Sequence, residues 1–273
     1  IERAILRYFP NAAGLMCTQL PATYDSSKRV SSLSDCNLGS KSEPASSGTI
    51  QASPPYLSMV ALAIYFGAMT RGDCLFHSVL LARFSSDPNE PCYTGINCLL
   101  SYLYHTRKDR IRYTKTGWFI PQCVRDAGLV DMIMKNLGIY FCPDGSWKID
   151  AKTELNMTYG GFIIFMCGAG IDWYSKLIRV ICHSSAEAEI GAGCFASKRG
   201  QFIRGFLNEC KDNSIGPGTN GPFLYLIDNS AAKPMTSNVG VTQKQEYYLR
   251  WQFYLRWIVY HKFGTILWIE ETN

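Results

Sequence analysis

Apolar positions along the chain change their spacing about halfway, and with that change the predicted elements change type. In the first half they recur at helical intervals. A short helix is expected over about Ile1 to Phe9, then Leu57 to Met69, then a helix capped by Asp73 and running to about Phe84, then Tyr93 to about His105. Asp87-Pro88 and Glu90-Pro91 punctuate the last two. From about Leu137 the apolar residues bunch into β-branched and aromatic runs. "LGIYFC" reads as a strand, and "GGFIIFMCGAGIDWYS" as a hairpin turning at Gly-Ala-Gly. A long helix from "HSSAEAEIGAG", a buried strand "GPFLYLID", a helix "QKQEYYLRWQFYLRWIVY" and a last strand "GTILWIE" complete the order β-β-β-α-β-α-β. Such an order predicts an α/β fold, a mixed sheet with helices packed on it.

Between Thr23 and Pro55 the chain is dense in Ser, Pro and Gly and poor in large apolar residues, which reads as a linker. Usage is otherwise globular, with 47% hydrophobic and 18% charged residues in 273. The formal charge of +5 is compatible with a polyanionic partner without demanding one. Eleven cysteines, an odd number without any Cys-x-x-Cys pair, read as reduced thiols of an intracellular protein. The longest apolar run, Met59 to Met69, is too short to span a bilayer, so no membrane partner is expected.

Three acids stand at telling places: Asp144 in "CPDGSW" just after the first strand, Glu189 in the first turns of the long helix, and Asp228 at the end of the next buried strand. If the first and fourth strands are neighbours, Asp144 and Asp228 come together under that helix. Three carboxylates in one small volume repel unless cations are present, and oxygen ligands suit Mg²⁺ or Mn²⁺. Glu187 and Glu189 are not equivalent candidates, because residues two apart on a helix point about 200° away from each other. Glu189 shares its face with Ala192, Gly193, Ala196, Gly200, Ile203 and Leu207, which suits a close-packed surface. Glu187 stands three residues after Ser184, the capping-box position.

"PDGSWKID", "GGFIIFMCGAGIDWYSK", "HSSAEAEIGAG" and "LIDNSAA" also occur in the order seen in the ribonuclease H domain of copia-type LTR retrotransposon polyproteins, which this half of the chain resembles. The segment Tyr56 to Tyr113 is similar to the region connecting reverse transcriptase to ribonuclease H, with "TRGD" where that family reads Thr-Arg-Pro-Asp, and "IERAILRYF…CTQLP" to the end of the polymerase thumb. The resemblance implies residues 1–22 as a thumb-like end, 23–55 as linker, 56–136 as a helical connecting region and 137–273 as a ribonuclease H-like domain with a mixed five-stranded sheet. It implies cleavage of the RNA strand of RNA·DNA hybrids with two Mg²⁺ (or Mn²⁺) ions held by Asp144, Glu189 and Asp228, beside a polymerase domain of the same polyprotein, in the cytoplasm within a virus-like particle or in the nucleus. The family's second Asp after the first strand is Ser146 here, and its fourth carboxylate is expected beyond Asn273. A non-catalytic retroelement fragment, acting as a binding or scaffold module, is the competing expectation.

Two further features bear on nucleic acid. "RKDRIRYTK" carries five cations in nine residues, Arg107, Lys108, Arg110, Arg112 and Lys115, able to track phosphates or to form a merely solvated helix end. The aromatic run Tyr247 to Tyr260 could stack on bases, but packing in a core or against a neighbouring domain is the stronger expectation.

Overall fold

A computed structural model describes residues 2–8, 55–147, 158–178, 180, 182–219, 221–229 and 249–269, and the chain divides into two compact units, Ile1–Arg110 and Ile111–Asn273. The linker 23–54 and the first part of the predicted last helix, 243–248, lie outside the described residues.

The first unit is helical: α1 Glu2–Tyr8, α2 Tyr56–Met69, α3 Gly72–Ala82 and α4 Glu90–His105. Its core gathers Ile5, Met59, Val60, Ala63, Leu81, Ile96, Leu99, Leu100 and Leu103. One predicted boundary moves. Asp73 does not cap α3; the cap position is Arg71, and Asp73 falls in the first turn, where its carboxylate accepts from Arg71 Nη2 at 2.7 Å and from the Tyr102 hydroxyl at 2.8 Å. Asn89 caps α4 by accepting the Cys92 amide.

The second unit holds α5 Gln122–Asp126, α6 Val130–Lys135, β1 Tyr140–Ser146, β2 Tyr159–Met166, β3 Ala169–Leu177, α7 Ser185–Asp212, β4 Phe223–Ile227, α8 Leu249–Tyr260 and β5 Gly264–Trp268. The five strands form one mixed sheet in the order β3-β2-β1-β4-β5. β2 pairs antiparallel with both β1 and β3, whereas β4 pairs parallel with both β1 and β5. Alternation sends Phe141, Phe162, Ile164, Phe223 and Tyr225 to the α7 side and Tyr140, Leu224 and Leu226 to the side covered by Ile120, Val124 and Ile133. The short helices α5 and α6 on that second face escaped the periodicity reading, being five and six residues long.

Two local readings are corrected. The hairpin turns at Cys167-Gly168, both with positive φ, so that Ala169 and Gly170 already belong to β3. β1 extends past Cys142 to Ser146, which places Asp144 inside the strand, opposite Gly161, and not after it.

Candidate functional site

Glu189 is brought to the sheet by a glycine. The start of α7 lies so close over β1 that a Cβ on Gly145 would fall 2.3 Å from the Ala188 carbonyl carbon, a separation no side chain tolerates. Asp144-Gly145 therefore looks like a turn in sequence and is strand in the fold, with Gly145 required by the backbone approaching it. At that crossing the Gly145 amide donates to Glu189 Oε1 at 3.0 Å. Glu189 is 4% exposed, and its other oxygen, Oε2, is buried without a hydrogen-bond partner.

Glu187 takes the capping role. Its carboxylate accepts the His183 amide at 2.8 Å while its own amide donates to Ser184 Oγ at 3.3 Å, a reciprocal capping box. The two glutamates separate as helix geometry requires, though Glu187 is also buried. Burial on both sides of this end of α7 follows from α8, whose Leu255 and Trp251 pack on Ala186 and Ile190.

Asp144 and Asp228 stand where β1 and β4 part. Pairing of the two strands aligns Tyr140 with Leu224 and Phe141 with Tyr225, and the same offset sets Asp144 level with Asp228, one residue past β4, on the same side of the pleat. From β1 the chain continues to β2 on one side; from β4 it continues to β5 on the other. The carboxyl end between two such strands is the crevice where open α/β sheets hold ligands.

Hydrogen bonds tie both strand exits to the start of α7. Trp147 Nε1, just past β1, donates to the Cys182 carbonyl at 2.7 Å, and Asn229 Nδ2, beside Asp228, donates to Ser185 Oγ at 3.1 Å. Neither residue was expected from sequence to act at the site. The only signal was their adjacency to the acids, in "DGSW" and "IDN".

The electrostatics are those of uncompensated acids. Burial pushes the Glu189 carboxyl up to about 8 from 4.5; the Gly145 amide opposes this, and the charges of Asp144 and Asp228 add to it. Asp144 keeps an open face to solvent, yet the chain around it desolvates its carboxyl and raises it; Asp228 adds to that rise, while Glu189 and the Gly145 amide oppose it. The charges of Asp144 and Asp228 thus both bear on Glu189, and that of Asp228 on Asp144, and among the described residues no cation offsets them at either group. The donor chemistry, carboxylate oxygens with one buried lone oxygen, fits a hard divalent cation. Among the described residues, however, no three His, Cys, Asp or Glu side chains are gathered tightly enough to hold a metal ion.

Of the expected phosphate-tracking cations, Arg107 and Lys108 lie in the turn that closes α4, and Arg110, Arg112 and Lys115 in the irregular chain after it. Arg107 is half-buried, its guanidinium 4.2 Å from the centre of the Tyr104 ring and donating to the Tyr104 carbonyl; Lys108, Arg110, Arg112 and Lys115 are exposed. The nine described cysteines are all free thiols. No helix among the described residues is long and apolar enough to cross a membrane.

Strand order, mixed pairing and the flanking helices define a ribonuclease H-like α/β fold, with acids at the carboxyl-end crevice between its two central parallel strands. No family model matches the chain. It is 26% identical over 158 residues to the retrovirus-related Pol polyprotein from transposon TNT 1-94 of Nicotiana tabacum, a match covering 58% of this chain and 10% of the polyprotein. It is also 27% identical over 135 residues to secreted RxLR effector protein 161 of Plasmopara viticola, covering 50% of this chain and 81% of that protein. The first similarity, weak and partial, points to a retrotransposon-type origin.

Proposed function

We propose that the sheet unit is a metal-dependent endonuclease of the ribonuclease H type, hydrolysing the RNA strand of RNA·DNA hybrids as part of a copia-type retrotransposon polyprotein. The observation that carries this reading is the buried Glu189 carboxylate, seated on the Gly145 amide with one oxygen unpartnered, beside two further acids at the strand ends. Asp144, Glu189 and Asp228 would hold two Mg²⁺ (or Mn²⁺) ions. Such ions, when bound, supply polarisation of the phosphodiester and of the attacking water. The chain's own part is to keep Glu189 fixed through Gly145, to keep the crevice open at the ends of β1 and β4, and to keep the acids close enough that a cation, taking the place of the proton Glu189 otherwise holds, relieves their repulsion. Hybrid selection would rest on backbone shape and 2′-hydroxyl contacts, with Arg112 and Lys115 of the same unit contributing phosphate attraction. A polymerase domain of the same polyprotein is the natural companion, inside the cell.

A second reading, a non-catalytic retroelement piece that binds or scaffolds, is favoured by the absence of a ready-gathered ligand set among the described residues and by Ser146 where the family has an acid. The full chain incubated with a labelled hybrid and Mg²⁺ or Mn²⁺ separates the two. Metal-dependent RNA cleavage, reduced by about a hundredfold or more in Asp144→Asn, is the expected result. Hybrid binding without cleavage by the parent chain would establish the second reading instead.

A further inference from the structure

The aromatic run of the last helix is divided by the fold. On α8 the inward side carries Gln252, Leu255 and Ile258, all buried, with Trp251 half-buried against Ile190. The opposite side presents Phe253, Trp257 and Tyr260 at helical spacing, 49%, 44% and 82% exposed, and these rings cover no core. Packing therefore accounts for one side of the described part of the run and leaves the other as a surface.

That surface has two properties of a base-stacking platform. Its central ring is held in place: Trp257 stacks on Tyr254 with centroids 6.0 Å apart and is bracketed by His261 at 4.9 Å and Phe263 at 5.3 Å. A ring fixed before binding loses little conformational freedom when a base stacks on it. Its charge is also one-sided: α8 carries Arg250 and Arg256 and no acid, Lys262 and His261 follow at its exposed end, and the Arg256 guanidinium lies 5.7 Å from the Phe253 ring. At about 1.5 Å rise per residue the three rings span about 10 Å, room for two or three unstacked bases.

We infer that the outer face of α8 is a docking surface for single-stranded nucleic acid, in which Phe253, Trp257 and Tyr260 stack on bases and Arg250, Arg256 and Lys262 attract the phosphates. A duplex hides the faces of its bases, so the occupant is a single strand and not the hybrid of the proposed reaction. Among the described residues of α8 itself the charges are all positive, which favours a polyanion over a protein partner of mixed charge. The inference does not depend on hydrolysis or on any metal.

Binding of a fluorescein-labelled twelve-nucleotide oligo-dT or oligo-rU to the full chain in EDTA, followed by anisotropy over a salt series, tests it. Expected are saturable, salt-weakened binding, quenching of tryptophan fluorescence, and at least a tenfold loss of affinity in Phe253→Ala/Tyr260→Ala, since each stacked base contributes about 1–3 kcal/mol. Both substituted side chains are largely exposed, and an unchanged circular dichroism spectrum checks the fold. No binding, equal affinity in the double variant, or concentration-dependent dimerisation abolished by that variant would overturn the inference, the last assigning the face to a second copy of the chain.

Discussion

Each unit carries acidic side chains taken partly or wholly out of water, and the two have opposite fates. In the helical unit, burial acts to raise the Asp73 carboxyl, but the bidentate Arg71 guanidinium and the Tyr102 hydroxyl overcome it and hold the group below its ordinary value. Arg71 is itself satisfied, donating also to the Thr106 carbonyl and hydroxyl. In the sheet unit, Glu189 has one backbone donor, one unpartnered oxygen and two neighbouring acids, and it is pushed up to about 8. An acid with its counterion in place is structural, because its charge is already spent within the fold. Acids crowded without a counterion keep an electrostatic demand that something outside the chain can meet.

The largest expected effect comes from breaking the geometry rather than the charge. Gly145→Ala puts a methyl group into the Ala188 backbone, which must lift α7 from β1 or distort the strand. Destabilisation of the sheet unit by about 3 kcal/mol or more is expected, measured by urea unfolding followed by tryptophan fluorescence. A loss below about 1 kcal/mol would mean that α7 does not rest on Gly145 and that Glu189 is not seated as described.

Next in size is the pH dependence of the metal-free chain. Glu189 has a folded value of about 8 against 4.5 ordinarily, so between those values the folded state binds more protons than the unfolded one. The stability that this group contributes is present below about 4.5 and is lost as pH rises through about 8. A fall on the order of a few kcal/mol is expected across that window, removed in Glu189→Gln. Added Mn²⁺ should restore stability at pH 8 in the parent and not in the variant. A flat parent profile from pH 4.5 to 8 would show that the acids are not crowded.

The same logic shows why some of this was legible in sequence and some was not. Glu187 and Glu189 separate by helix geometry alone, a local property, and the capping box followed from Ser184 at the right spacing. The adjacency of β1 and β4 could only be posed as a condition, because parallel pairing of strands so far apart in sequence depends on the whole sheet. That β1 runs on through Asp144 and Gly145 is not legible locally, because an Asp-Gly pair carries a turn signal and the helix that makes glycine necessary there is more than forty residues away. The same distance hid the ties from Trp147 to Cys182 and from Asn229 to Ser185. For the cysteines, spacing was enough to expect thiols, and the described ones are free.

In the helical unit the sign reverses. Stability contributed by Asp73 is present above its ordinary value of 3.8 and lost as pH falls through its depressed folded value. Arg71→Ala should cost about 1–2 kcal/mol at neutral pH, less than a fully buried pair, because the Asp73 side chain is 41% exposed. Amide exchange of α3 and α4 would report it, with the sheet unit unaffected. Equal loosening of both units would erase the distinction drawn between them.

The smallest effects concern the two ties, and they test how the acids are held. Trp147→Phe keeps an aromatic ring, though a smaller one, and removes the donor to the Cys182 carbonyl, a partly buried bond, so about 1 kcal/mol is expected. Asn229→Ala removes a solvent-exposed bond to Ser185 and should cost a few tenths of a kcal/mol. The informative readout is the Gly145 amide, whose acceptor is Glu189. Under conditions where global unfolding is negligible, its hydrogen exchange should speed up in Trp147→Phe, because the chain leading into α7 is released beside β1. Asn229→Ala should change it less, since that tie acts from β4. Exchange at Gly145 unchanged in both variants would mean that the helix start is held by its packing on β1 and α8 alone.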